Sequence, residues 1–273
     1  MMDRDSTAWL LPVLLAAGVA GAAWYYWSQI KQQADKQRPV QQTAPQDSAE
    51  PDVSIRPLHP ITGPGFPDGS DADLRPLPQL GDSDEYFKLE LTDLFGEQVG
   101  SLIAGARIIE RVVATVDSLP RSHVAERVRP VTGLGDAFVA DPEGGDLYAI
   151  SNESYRRYDG LVSIVDESDV EELVDLYRRY YPLFQKAYVE LGYPNGYFND
   201  RLVEAIDDML ATPELGSKVL LVRPHVLYKF QDPDLEARSS GQKLLLRTGN
   251  ENAAKIKAKL RELRDAIANQ DIQ

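Results

Sequence analysis

The run Ser240-Gly241-Gln242-Lys243 places a lysine one helical turn after a serine, where an amine could take the hydroxyl proton and make the oxygen a nucleophile. Arg247-Thr248-Gly249 follows three leucines later. Penicillin-recognising enzymes instead carry their basic Lys-Thr-Gly triplet on a distant strand, with a Ser-Asp-Asn element between. The spacing therefore assigns the serine to a helix cap. Glu204, Asp207 and Asp208 lie three and four residues apart, which on a helix would bring carboxylates together as glycoside hydrolysis requires. A solvated acidic face fits the same spacing. The aromatic stretch 192–201 offers Tyr193, Tyr197, Phe198, Asp200 and Arg201 as the candidate binding groove, for a peptide or a sugar. The alternative there is loop packing with satisfied hydroxyls.

Metal and cofactor chemistry has little raw material. The chain has 3 histidines and no cysteine, which removes disulfides, thiolate nucleophiles, zinc ribbons and iron–sulfur ligation. His59, His123 and His225 fall in expected coil or loops. The acidic run Asp68, Asp71, Asp73 lacks the glycine and terminal glutamate of a calcium loop. No G-x-G-x-x-G after a strand, Walker loop or G-x-S-x-G elbow occurs. The sequence thus assigns no catalytic residue, no metal ligand and no cofactor.

The elements that must position these residues read as α+β, mainly α. Ser83 with Asp84 and Glu85 predicts a capped helix stopping at Gly96, with a short helix from Glu97. Residues 107–119 carry Ile108, Ile109, Val112, Val113 and Val116 at helical spacing. Strands are predicted at 137–140 and 147–150 around a turn-rich 141–146, and again at 219–222 and 226–230, giving one or two short β-hairpins. From Asp169 an aromatic stripe through Tyr177, Tyr181, Phe184 and Tyr188 predicts a long helix kinked at Pro182. Asn199 reads as the cap of the next helix, Ser239 or Ser240 of another, and Asn250 of the last. That last helix places Ala253, Ile256, Leu260, Leu263 and Ile267 along one seam, expected to pack on the domain core.

Four regions follow from the changes in composition. Residues 1–7 form a short tail, and residues 8–27 are twenty positions without a charge. At about 1.5 Å per residue this helix spans roughly 30 Å of hydrocarbon. Trp9 stands near one end, and Trp24, Tyr25, Tyr26 and Trp27 crowd the other, as in a membrane anchor's aromatic belts. A cleaved signal peptide, cut among the small residues 20–23, is the competing reading. Residues 28–82 hold 9 of the 18 prolines and no apolar period, so they read as a disordered linker reaching roughly 40 Å. The globular domain is 83–273.

Charge narrows the partners. Residues 83–273 carry 23 Lys+Arg and 33 Asp+Glu, or −10 of the chain's −14. Such a surface repels phosphate backbones, so nucleic acid is excluded as a general partner, and only a local basic patch could bring the domain onto anionic lipid. Lys31, Lys36 and Arg38 after the span outnumber Arg4 before it, which favours a cytoplasmic domain. The proline-rich spacer and the missing cysteine favour the periplasmic side of a bacterial inner membrane, and that is the orientation expected here.

Four segments carry a resemblance: 108–117 with Leu119-Pro120-Arg121; Tyr177-Arg178-Arg179-Tyr180-Tyr181-Pro182-Leu183-Phe184; the loop 192–201; and Gly241-Gln242-Lys243-Leu244-Leu245-Leu246-Arg247. Together they resemble the proteobacterial domain-of-unknown-function family 3014. The resemblance implies a membrane-anchored, single-pass envelope protein and transfers no catalytic residue. Two functions are expected from different classes: an interaction or scaffold module binding an envelope protein or cell-wall partner, or a hydrolase acting on cell-wall or envelope material.

Overall fold

The computed structural model describes residues 56–61, 76–131, 138–216 and 218–268, all within the unit Ser54–Gln273. The expected anchor at 8–27, the tail, most of the linker and the Asp68–Asp73 run lie outside the described residues. Chain order runs α1 (Asp84–Phe95), α2 (Glu97–Leu102), α3 (Ile108–Ser118), β1 (Ala140–Gly144), β2 (Leu147–Ile150), α4 (Asn152–Arg156), α5 (Asp159–Glu167) and α6 (Val170–Glu190). It continues with α7 (Phe198–Leu210), β3 (Leu220–Val222), β4 (Lys229–Phe230), α8 (Pro233–Glu236), α9 (Ser240–Thr248) and α10 (Asn250–Ala268). The described chain is mainly helical, with one small four-stranded antiparallel sheet in the order β1-β2-β3-β4.

The aromatic stripe of α6 builds the larger core. Tyr177, Tyr180, Phe184 and Tyr188 meet Phe87 of α1, Ile109 and Val113 of α3, and Phe198 and Ile206 of α7. Phe184 and Phe198 stack with ring centroids 5.5 Å apart, and Phe87 meets Phe184 edge-on at 5.6 Å. Both geometries suit the ring quadrupole. The seam of α10 lies on this core, where Leu260 and Leu263 are partly buried and Ile267 fully. Helix α6 continues through Pro182, whose missing N–H removes only the bond to the carbonyl of Arg178.

The two expected hairpins merge. Leu147 pairs with Val222 and Tyr148 with Leu221, so β2 and β3 join them into one sheet across four intervening helices. The first turn falls within the expected 141–146 but is shorter, at Gly145-Asp146, because β1 runs on to Gly144; Gly144 and Gly145 have φ of 105° and 60°, a conformation that favours glycine. A second apolar cluster of Ile150, Val219, Leu221, Phe230 and Leu246 lies between this sheet and α9.

Some caps are as read and others are not. Of the two serines expected there Ser239 is the cap, accepting from the Gln242 N–H at 3.2 Å, and Asp169, where the long helix was expected to begin, caps it by accepting from the Glu171 N–H at 2.7 Å. Ser83 does not cap: its hydroxyl donates to the Leu80 carbonyl at 2.7 Å. The carboxylate of Asp84 leaves its own helix and accepts from the backbone N–H groups of Arg107 and Ile108, both at 2.7 Å, capping α3 from outside. That contact accompanies the left-handed backbone of Arg107, φ 56°. Asn199 is not a cap either. It lies inside α7, fully buried, with Tyr197 at the cap position. Asn250 is the first residue of α10, and its amide donates to the Leu215 carbonyl at 2.7 Å.

Candidate functional site

The residues expected to form a groove at 192–201 are distributed among internal contacts. Phe198 is 1% exposed and belongs to the core, so it lines no surface groove. Tyr193 stacks on Tyr188 at 4.6 Å, accepts from Arg121 at 2.5 Å and donates to Asp117 at 3.3 Å. Arg201 pairs through Nε with Asp117 at 3.1 Å, donates to the Asp117 carbonyl, and reaches Glu204 at 2.6 Å. Tyr197 is half-buried at the start of α7. Asp117 is the buried hub of this network, 6% exposed between two guanidinium groups.

Asp200 does hold a peptide segment, and it is the chain's own. Its two carboxylate oxygens accept from the backbone N–H groups of Leu58 and His59 at 3.0 and 2.8 Å. The amide of Asn199 donates to the His59 carbonyl at 2.8 Å and the Ile267 carbonyl at 3.1 Å, and its carbonyl oxygen accepts from the Tyr177 hydroxyl at 3.0 Å. His59 Nδ1 lies 3.1 Å from the Ala268 carbonyl, and Ile61 sits in the core, 7% exposed. Residues 56–61, which composition places in the linker, are therefore clamped between the start of α7 and the end of α10.

The serine–lysine pair is separated by its partners. Ser240 donates to the Arg121 carbonyl at 2.9 Å, while Lys243 donates to the carbonyls of Ser122 and Glu236 at 3.3 and 3.1 Å. The acidic trio is likewise dispersed: Glu204 to Arg201, Asp207 to Arg264 at 2.5 Å, and Asp208 to Ser239 at 2.5 Å.

A cavity the sequence did not point to opens where the sheet meets the α9–α10 elbow. Its volume is about 620 Å³, within the usual range for ligand sites. Ala149, Ile150, Leu215, Val219 and Leu246 form the apolar part, with Tyr155 and Thr248 beside them. Around these stand two cations, Arg156 and Lys218, and four carboxylates, Asp141, Glu143, Asp159 and Glu251. Lys218 bridges to Glu143 at 2.8 Å. Asn252 fixes the elbow by donating to Asp159 at 2.8 Å and to the carbonyls of Tyr155 and Thr248 at 3.3 and 3.2 Å. Gly249 makes the bend possible: its φ is 84°, and a Cβ there would lie 2.9 Å from the Tyr155 ring.

Burial raises the pKa of the Tyr155 phenol, and the hydrogen bond and charge of Glu143 raise that of the Lys218 ammonium. Both shifts strengthen the form already present at neutral pH. A second, more open cleft of about 730 Å³ lies between α1 and α6, with Leu89, Leu94 and Leu176 bordered by Glu90, Asp93 and Arg179. No cluster of three or more histidines, aspartates or glutamates that could hold a metal occurs among the described residues.

A protein-family model described as "Protein of unknown function (DUF3014)" matches residues 108–264, more than half of the chain. The chain belongs to the DUF3014 family. The DUF3014 match takes in every residue lining the 620 Å³ cavity and the Asp117–Arg201 network, and leaves out α1, α2 and the clamped 56–61. No curated protein matches the chain, and no solved structure does. Among the described residues no helix is long and apolar enough to cross a membrane.

The cavity was invisible in the sequence because its walls come from residues far apart in the chain. Lys218 and Glu143 meet only through the pairing of β2 with β3. Gly249 between two predicted helices was the one local sign of an elbow.

Proposed function

We propose that this chain is a membrane-tethered interaction module, held by residues 8–27 at a bacterial inner membrane with its domain in the periplasm. On this reading the cavity at the α9–α10 elbow receives a polar, extended segment of an envelope protein. The observation that carries it is the cavity's lining, an apolar floor ringed by both signs of charge. That combination suits a peptide, which offers side chains, amides and occasional charges together.

Acid–base catalysis finds less support. A general acid or base works best with a pKa near the working pH. In the cavity Tyr155 and Lys218 are both moved away from neutrality, which suits hydrogen bonding and charge pairing.

Photo-crosslinking in native membranes tests the proposal. A photoreactive residue at Arg156 should give a discrete adduct with one protein, and the same residue at Glu262 on the exposed side of α10 should not. Filling the floor with Leu215→Trp should abolish the Arg156 adduct. If the purified chain cleaves cell-wall fragments, and Glu143→Gln or Asp159→Asn stops it without unfolding it, the hydrolase reading replaces this one.

A further inference from the structure

The six-residue loop joining β3 to β4, residues 223–228, has an apolar end. Here Arg223-Pro224-His225-Val226-Leu227-Tyr228 puts two adjacent aliphatic side chains into solvent, Val226 77% and Leu227 76% exposed. Burying neither, the fold gains nothing from their hydrophobicity.

The charge around the tip is equally unusual. Residues 215–231 contain no Asp or Glu, although the chain has 43 acids in 273 residues, which predicts between two and three in such a window. The same window holds Lys218, Arg223, Lys229 and His225. Lys218 is neutralised by Glu143 in the cavity wall. Arg223, His225 and Lys229 are exposed, and among the described residues none of them forms an ion pair with a carboxylate. Arg223 lies over the Tyr228 ring at 5.2 Å and donates to the Val226 carbonyl at 3.2 Å. Tyr228 in turn packs edge-on against Tyr148 of β2 at 5.2 Å and meets Phe138 at 5.6 Å. The tip is thus mounted on the sheet through an aromatic base, with its cations just beneath its apolar end.

We propose that Val226 and Leu227 enter the interfacial layer of an anionic bilayer, with Arg223 and Lys229 at the lipid headgroups. The layering of the tip, apolar end first and cations behind, reproduces in reverse the order a membrane presents, anionic headgroups and then hydrocarbon. The rest of the domain is acidic and is repelled by the same surface, so the contact would orient it, tip down. This inference rests on the membrane tether of the proposed function. The tether allows it: the 28 residues between Trp27 and Arg56 set an upper limit on reach of about 95 Å.

Because the chain has no cysteine, Leu227→Cys gives a single site for an environment-sensitive fluorophore. The full chain would be reconstituted into vesicles of phosphatidylcholine alone or with phosphatidylglycerol, and each preparation floated on a gradient. With phosphatidylglycerol the label should shift to the blue and be quenched by lipids carrying a nitroxide near the headgroup. A label at Leu89→Cys, an exposed position on α1, should stay water-like. Arg223→Gln with Lys229→Gln should lower the insertion equilibrium constant about 25-fold, roughly five-fold for each cation lost from the surface. Position 227 reading water in both lipids, in a chain that floats with its vesicles, overturns the inference alone. A chain that does not float overturns the tether and the inference with it. Equal quenching in both lipids overturns the assignment to anionic lipid.

Discussion

Replacing Asp200 by alanine should release residues 56–61 from the domain while leaving the domain folded. Seating these six residues costs about 1–2 kcal/mol of backbone entropy each, so roughly 6–12 kcal/mol in all. Against this stand burial of Ile61, about 1.5–3 kcal/mol, and two hydrogen bonds to a carboxylate, about 1.5–3 kcal/mol each. The Asn199 bond to the His59 carbonyl and the His59 ring contact with Ala268 add about 0.5–1.5 kcal/mol each. Gains and cost cancel to within a few kcal/mol, so the clamp is closed by a narrow margin. The Leu58 bond is exposed to water, which lowers the loss on removing the carboxylate to about 2–4 kcal/mol, a shift of roughly 30- to 1,000-fold toward the open segment. Hydrogen exchange reads this directly, because Pro57 and Pro60 have no amide and Leu58 and His59 are the two that Asp200 receives. Their exchange should accelerate at least about 30-fold, with α6 amides changing by no more than a few-fold. Unchanged exchange at Leu58 and His59 would refute the reasoning, as would a loss of protection spread equally over α6 and α7.

Asp117→Ala should cost about 2–3 kcal/mol in chemical denaturation, because it takes the buried carboxylate from the Arg201 guanidinium, whose side chain is 14% exposed, and leaves it only the exposed carboxylate of Glu204. Arg121→Ala removes the more exposed partner, 53% exposed, and should cost no more than about 1 kcal/mol; equal losses would contradict the burial argument. Alkaline melting should report the buried phenols. Burial raises Tyr181 to about 12 and holds Tyr177 well above its ordinary value, so the folded state keeps protons that the unfolded chain releases near pH 10. The associated stability is fully present below that pH and is lost as pH rises from about 10 through 12, by roughly 2–3 kcal/mol from Tyr181 alone. The melting temperature should be insensitive to these phenols below about pH 9 and fall beyond 10, less steeply in Tyr181→Phe.

The mainly helical domain, the places where most helices stop and the apolar stripe of α6 could all be read from residue order, because 3.6-residue periodicity and the backbone limits of Gly and Pro act within one or two turns. Ser239, one of the two serines read as a cap, does cap for the same reason. Tertiary structure decided everything in which a polar group answers a distant backbone. Asp84 read as an acid of its own helix's first turn and Asp200 as part of a binding groove, yet one caps α3 and the other clamps residues 58–59. Asn199 looked like a cap and is a buried junction between Tyr177, His59 and Ile267. The same holds for Tyr193 and Arg201, legible as a polar aromatic loop but not as partners of Asp117, and for the cavity at the α9–α10 elbow. A carboxylate or amide meets its needs with any N–H or carbonyl that arrives in the right geometry, and sequence spacing records only the local ones. Which distant strand or turn arrives is set by burying the aromatic core and by pairing β2 with β3.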